Sequence, residues 1–187
     1  MRKNLGSKPY LLPETVSIIA TYNSDNSVNI MNAAWSMMSD YDKVTLCLSK
    51  THLTTENILR NKDFTISAGT KDTVASCDYV GIVSGKDDVN KFKKSKFSIT
   101  KSEFVNAPII NELPLALECH LLSYDEKSEI LVAKIINVSV DEKIINKETS
   151  KIDIYKAHIL VFDPTSNNYF ELGNVVAKAF NEGNKLK

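Results

Sequence analysis

The sequence predicts a mainly β fold with short helices, an antiparallel barrel or sandwich, on two observations. Short runs of β-branched and aliphatic residues outnumber the segments that read as helices. Most of these runs are joined by polar turns rather than crossover helices, which argues against a βαβ repeat. A length of 187 residues suits one domain spanning 1–187, and no repeat, low-complexity tract or linker divides it.

In chain order, Val16 to Thr21 is a β-branched run, Asn23 to Ser27 a turn, and Val28 to Met31 a resumed strand, together a hairpin. Val44 to Leu48 is a short apolar strand. Ser49 to Leu59 reads as a polar turn and a short helix, whose hydroxyls can cap the first turn and whose Glu56 suits the N-terminal half. Phe64 to Ala68 is a strand, and Asp72 to Val80 a helix that turns Val74, Cys77 and Val80 inward. Val89 to Lys94 is a short charged helix. Its lysines, with Lys91, Lys93 and Lys94 followed by Lys96, read as a solvated face because no aromatic ladder accompanies them. Leu115 to Leu122 and Ile130 to Val140 flank the turn Tyr124 to Ser128 as an antiparallel hairpin, and period two puts Leu115, Leu117, Cys119 and Leu121 on one face. Ala157 to Phe162 and Tyr169 to Leu172 form another hairpin around Asp163 to Asn168. Asn174 to Phe180 reads as a C-terminal helix, with a polar tail from Asn181 to Lys187.

Composition excludes several classes. Lys and Arg number 23 and Asp and Glu 23, so no global field gathers nucleic acid or an anionic membrane. At 43% hydrophobic residues the chain can bury a core, which argues against disorder, and zero net charge makes an oligomer easier to accept. Three cysteines at wide spacing, without a CxxC pair, make a poor disulfide framework and a poor zinc site. Cys47 and Cys119, inside apolar runs, read as buried inert thiols, and Cys77 as a spectator in a more polar stretch. A reducing cytoplasm is the expectation. The N-terminus lacks the apolar region of a secretory signal, and the longest apolar runs fall far short of the ~20 residues that span a bilayer.

The common nucleotide and hydrolase signatures are absent: no GxGxxG, Walker A loop, HExxH or GxSxG occurs. His52, His120 and His158 are isolated, the last two reading as strand-surface residues. Two segments carry chemical content. Ser49, Lys50, Thr51, Thr54 and Thr55 place one cation and four hydroxyls at a strand-to-helix junction, where unpaired N–H groups suit either simple helix capping or a phosphate. Asn29-Ile30-Met31-Asn32-Ala33-Ala34-Trp35 joins amides, small residues and the only tryptophan. It suits either a strand end with a core Trp or the close approach of a flat ligand.

In collinear order these segments resemble the flavin reductase-like family of FMN-binding split barrels, and within it the flavoredoxin-type branch. The resemblance rests on Asn29 to Trp35, Asp40 to Leu46, Lys50-Thr51-His52 with Thr54 to Asn57, Cys77 to Gly85, Phe104 to Pro108 and Leu172 to Phe180. It implies a six-stranded antiparallel split barrel, forming a homodimer with non-covalent FMN near the interface. Asn29, Met31, Asn32, Ala33, Ala34 and Trp35 are then expected to border the isoalloxazine and ribityl chain. Ser49, Lys50, Thr51, Thr54 and Thr55 are expected to bind the phosphate, and Cys77 to Gly85 to line the other side of the flavin. NADH or NADPH as donor implies a flavin reductase. A redox-protein donor or acceptor implies an electron carrier without a nicotinamide site, and the third reading is a non-enzymatic FMN-binding protein. No catalytic side chain is implied, because hydride transfer to the flavin needs no protein acid or base. One departure from the family pattern stands out: Ser36 and Met37 follow the Trp where glycine is common, which narrows the pocket or alters access to the flavin edge.

Overall fold

A computed structural model describes residues 1–187. Its strands and helices are β1 Glu14–Thr15, β2 Ser17–Tyr22, β3 Val28–Ala33, β4 Ser36–Asp40, β5 Lys43–Cys47, α1 Leu53–Asn61, β6 Asp63–Ala68, α2 Val74–Ile82, α3 Lys91–Ser95, β7 Ile99–Lys101, β8 Pro108–Ile110, β9 Leu115–Asp125, β10 Ile130–Val140, α4 Ile154–Ala157, β11 Leu160–Asp163 and β12 Asn168–Glu171. Seven strands make one antiparallel sheet in the order β3-β2-β6-β9-β10-β5-β4. Its two edge strands, β3 and β4, are consecutive in the chain and separated only by Ala34 and Trp35. The sheet must therefore curl until its edges nearly meet, without pairing to each other. Two irregularities in the β9–β10 register, at Val132/Ala133 and Ile135/Asn137, add local bend to the long central hairpin. At the seam the Ser36 hydroxyl lies 2.7 Å from that of Ser17 and 2.8 Å from that of Thr15. The Cys47 N–H donates to the Trp35 carbonyl at 3.0 Å. This is a split barrel.

Curling creates two apolar layers. Inside, Ile19, Leu46, Phe64, Cys119, Leu121 and Leu131 pack together. Outside, Ile18, Ala20 and Ile30 meet Cys77 and Val80 of α2, with Phe97 and Ile110. Strand β2 feeds both layers by period two, Ile19 inward and Ile18 and Ala20 outward, which is why Ile18, Ile19 and Ala20 are consecutive apolar residues rather than an alternation. On β9, Leu117, Cys119 and Leu121 face the interior, whereas Glu118 faces away, wholly buried. Its carboxylate accepts from the Ser102 hydroxyl, from Asn137 Nδ2 at 2.7 Å and from the Ser139 hydroxyl at 2.9 Å, tying the 102–107 loop to β9 and β10.

Several expectations need correction. The main sheet has seven strands, not six; Ser36–Asp40 is mostly exposed and carries no burial pattern that reveals a strand. Asn174–Phe180 is not helical, because Val175, Val176 and Phe180 meet no surface of their own chain and so short a helix lacks intrinsic stability. Residues 154–157, partly inside the expected hairpin, form α4, and the strand begins at Leu160. Helix α1 starts at Leu53 behind His52 with no side-chain cap. Cys47 is half-buried rather than buried, whereas Cys77 is fully buried on the inward face of α2, as its helical position predicts. Burial raises the Cys77 thiol and pushes Cys119 up to about 12. Lys91 is buried rather than solvated. His120 lies exposed on β9 with Nδ1 2.6 Å from Asp63 Oδ1, but His158 sits in a left-handed conformation after α4, facing Glu171. No helix is long and apolar enough to cross a membrane.

Gly69, directly after β6, tests this packing. A Cβ there would lie 2.6 Å from Val16 Cγ1 and 3.2 Å from the Cys77 sulfur, both buried. Gly69→Ala is expected to destabilise the protein by about 1–3 kcal/mol, read as a lowered urea midpoint.

Candidate functional site

Two cavities adjoin β3 and its exit. The smaller, of about 260 Å³, is lined by Asn29, Met31 and Asn32 of β3, by His52, Leu53 and Thr54 at the start of α1, by residues 80–85 at the end of α2, and by Lys91 of α3. The larger, of about 600 Å³, lies at the seam and is lined by Ala34–Met37, Thr45–Cys47, Ile130 and parts of the N-terminal segment between Lys8 and Thr15. The smaller is below the roughly 300–1,000 Å³ of whole-ligand pockets, so it suits one end of a larger ligand.

Elements brought together only by the fold build the smaller cavity. Asn29, 4% exposed, donates from Nδ2 to Thr54 Oγ1 at 2.7 Å, fixing β3 against the first turn of α1. That contact leaves the Thr54 hydroxyl proton without an acceptor in the chain. The backbone N–H groups of Ser84 and Gly85 likewise find none. Gly85 is required by close approach: a Cβ there would collide with Asn29 Oδ1 and sit 3.0 Å from Leu53 Cδ2. Asn32 Nδ2 donates to the Cys77 carbonyl at 3.3 Å, and the Tyr169 hydroxyl donates to Asp78 Oδ1 at 2.9 Å, holding α2 against β3 and β12. Burial, reinforced by Asp78, pushes that phenol up to about 12, so it remains a donor.

Lys91 sets the electrostatics. The residue is 5% exposed, but its ammonium keeps contact with solvent and makes no ion pair. Asp88 pairs with Lys94 at 2.7 Å and Glu56 with Lys86, and no carboxylate pairs with Lys91. Burial alone pulls Lys91 down to about 8. A partly desolvated cation, Thr54, Ser84, Gly85 and His52 thus line one small cavity, an arrangement complementary to an anion.

The predicted site residues divide. Asn29, Met31, Asn32 and Thr54 line the smaller cavity, Ala34 and Trp35 the larger, and Ala33 is buried in the strand between them. Ser49, Lys50 and Thr51 line neither. Their turn is occupied from within: Glu129 Oε1 accepts from the Ser49 hydroxyl at 2.9 Å and the Lys50 N–H at 3.1 Å, and these bonds hold its carboxyl below the usual range. The Thr55 hydroxyl turns inward to the Ser49 carbonyl at 2.8 Å. The residues 81–85, inside the expected Cys77–Gly85 segment, line the smaller cavity. Sequence reasoning missed Lys91 and His52. The one signal for Lys91 was its spacing of four from Ser95, which puts both on the inner face of α3.

The flavin reductase like domain model matches residues 10–163. Flavoredoxin of Desulfovibrio vulgaris (Miyazaki F) superposes with a TM-score of 0.92 at 32% identity, over 98% of this chain and 100% of that one. Flavoredoxin from Methanosarcina acetivorans superposes with a TM-score of 0.89 at 24% identity over the full length of both. An FMN-binding domain of a flavin reductases-like enzyme from Shewanella baltica gives 0.77 at 20% identity, over 88% of this chain and 89% of that one. No curated protein matches the chain.

The buried ammonium makes ligand-free stability depend on pH. With Lys91 near 8 when folded and near 10.5 when unfolded, the unfolded state binds more protons between these values, so stability rises with pH across that window. The raised Cys77 and Cys119 thiols oppose this above pH 9, so the Lys91 contribution is read as the urea-midpoint difference between wild type and Lys91→Met, which is expected to move in favour of the wild type from pH 8 to 10. Lys91→Met should remove the Lys91 share of that slope and raise the midpoint at pH 7.

Proposed function

The chain belongs to the flavin reductase-like domain family, and from that premise we propose that it is an oxidoreductase holding FMN non-covalently, with NADH or NADPH as hydride donor. The observation that carries the cofactor is Lys91, a largely buried side chain whose ammonium has no ion pair, lining a cavity that also presents Thr54 and the N–H groups of Ser84 and Gly85. A phosphate monoester supplies the missing charge and accepts all of these donors. Asn29, Met31 and Asn32 then border the ribityl chain. Ala33, Ala34 and Trp35 border the ring, which the small side chains let approach the backbone. Ser49, Lys50, Thr51 and Thr55 support the phosphate from behind, by shaping the turn into α1 rather than by touching it. Bound FMN would supply reversible hydride acceptance and single-electron release. The chain's own part is to bind, orient and limit access; no side chain is assigned a proton transfer.

The similarity to a flavoredoxin at 32% identity favours a second reading, an electron carrier reduced by a redox protein with no nicotinamide site. Stopped-flow mixing with NADH and NADPH separates the two. Flavin bleaching at catalytic rates supports the reductase. Bleaching only by a reduced redox protein supports the carrier, and redox cycling by neither leaves a non-enzymatic FMN-binding protein.

Two further proposals go with this one. The working unit is a homodimer with FMN near its interface: Trp35, Met37, Met38 and Tyr41, all exposed along the β4 edge, form the face a second copy would cover. Three free thiols fit a reducing cytoplasm.

Fluorescence titration tests the phosphate assignment. Lys91→Ala is expected to weaken FMN binding about 10–100-fold, the scale of a hydrogen-bonded charge, and Lys50→Ala by less than about threefold. A larger loss for Lys50→Ala overturns the assignment. In the wild type the affinity should fall as pH rises above about 8, because the bound phosphate requires the ammonium that the free protein is losing there.

A further inference from the structure

We propose that Lys91 is a carbamylation site, at which the flavin-free protein takes up carbon dioxide reversibly. The effect of this modification on the cofactor rests on the reading that the FMN phosphate pairs with Lys91: one residue then carries either the phosphate or the carbamate, never both.

The amine is the first feature that fits. Lys91 is the only lysine among the buried residues; it makes no ion pair and keeps contact with solvent beside the smaller cavity. Carbon dioxide adds only to a neutral amine. With burial holding Lys91 near 8, about half of it is neutral at pH 8, whereas less than about 1% of an ordinary lysine is.

The surroundings suit the product. Carbamylation turns a cation into an anion, so the product needs donors and no opposing acid. The Thr54 hydroxyl proton and the N–H groups of Ser84 and Gly85 find no acceptor in the chain, and a carboxylate has lone pairs for all three. Of the residues lining the cavity only Lys91 and His52 titrate, and none is a carboxylic acid that would repel the product. A cavity of about 260 Å³ is small for a whole ligand and ample for a group of three heavy atoms.

The step needs no further reactant. The Lys91 nitrogen lone pair forms an N–C bond to carbon dioxide, one C=O π pair moves onto oxygen, and the nitrogen releases a proton to water. Nothing is oxidised or reduced, and loss of carbon dioxide restores the amine. The carbamate and a phosphate take the same donors but require opposite charges at Lys91. Flavin loading therefore falls as carbon dioxide rises.

Chemical trapping tests this. Full-length flavin-free protein is held at pH 8 in ¹³C-bicarbonate and treated with triethyloxonium tetrafluoroborate, which fixes a carbamate as its ethyl ester, and the label is mapped by peptide mass spectrometry. Lys91 is expected to carry at least about tenfold more label than the exposed Lys50 and Lys93, from its larger neutral fraction. FMN at ten times its dissociation constant should lower the Lys91 label about tenfold. Lys91→Arg keeps the charge and cannot be carbamylated, and should leave no label at that position. In a fluorescence titration, bicarbonate should weaken FMN binding to the wild type more than nitrate does at equal ionic strength, nitrate being a planar anion of the same charge that forms no carbamate. The two salts should act alike on Lys91→Arg. Absence of label at Lys91 overturns the proposal, whatever FMN does. Equal weakening by the two salts without label marks an adventitious ion only and overturns it too. Label at Lys91 that FMN leaves unchanged supports the carbamate and overturns the placement of the phosphate at Lys91 instead.

Discussion

Two residues, Ala34 and Trp35, join the two edges of a seven-stranded sheet, and the rest of the structure depends on that short link. An open twisted sheet of this width keeps its edges far apart. A two-residue connection between its first and last strands is compatible only with a sheet rolled almost shut. Rolling encloses Ile19, Phe64 and Leu131 in an interior and leaves a second apolar layer outside for α2 and α3 to cover. Because β3 and β4 meet without pairing, β3 keeps a free edge. Backbone groups there are open to a ligand instead of a neighbouring strand. Both cavities follow from this geometry, one against β3 and one at the seam.

Zero net charge acquires a local meaning from this architecture. The surface pairs its charges, Lys94 with Asp88 and Lys86 with Glu56, and isolates one ammonium in a small cavity. Exposed ion pairs such as these contribute little stability. The turn at Ser49–Thr51 shows the opposite case. It has the donors of an anion site, and in the ligand-free chain Glu129, held at φ +57° in the β9–β10 turn, accepts from two of them.

Legibility tracked burial pattern. The β2–β3 and β9–β10 hairpins were readable because apolar periodicity and turn chemistry agreed, and β2 announced its double burial by the consecutive apolar residues Ile18, Ile19 and Ala20. Strand β4 was invisible because its side chains are mostly exposed, and an exposed edge carries no alternation to detect. The apolar stripe Val175, Val176 and Phe180 suggested a helix, but no surface of the same chain receives it. Within the site, the amides and small residues of β3 were legible as a segment, whereas Lys91 was hidden in a lysine-rich helix that looks solvated.

The sequence by itself determined the fold class, the order of most strands, the family and the segment along β3 that borders the cavities, since these depend on local periodicity and collinear motifs. Only the tertiary structure decided which lysine faces the smaller cavity, that Cys47 rather than Cys77 is reachable, and that the residues after Trp35 wall a separate pocket. Each of these is a matter of burial and of partners distant in the chain. Desolvation leaves Lys91 uncompensated, and the rolling of the sheet, not the neighbours of a residue in sequence, sets what it touches.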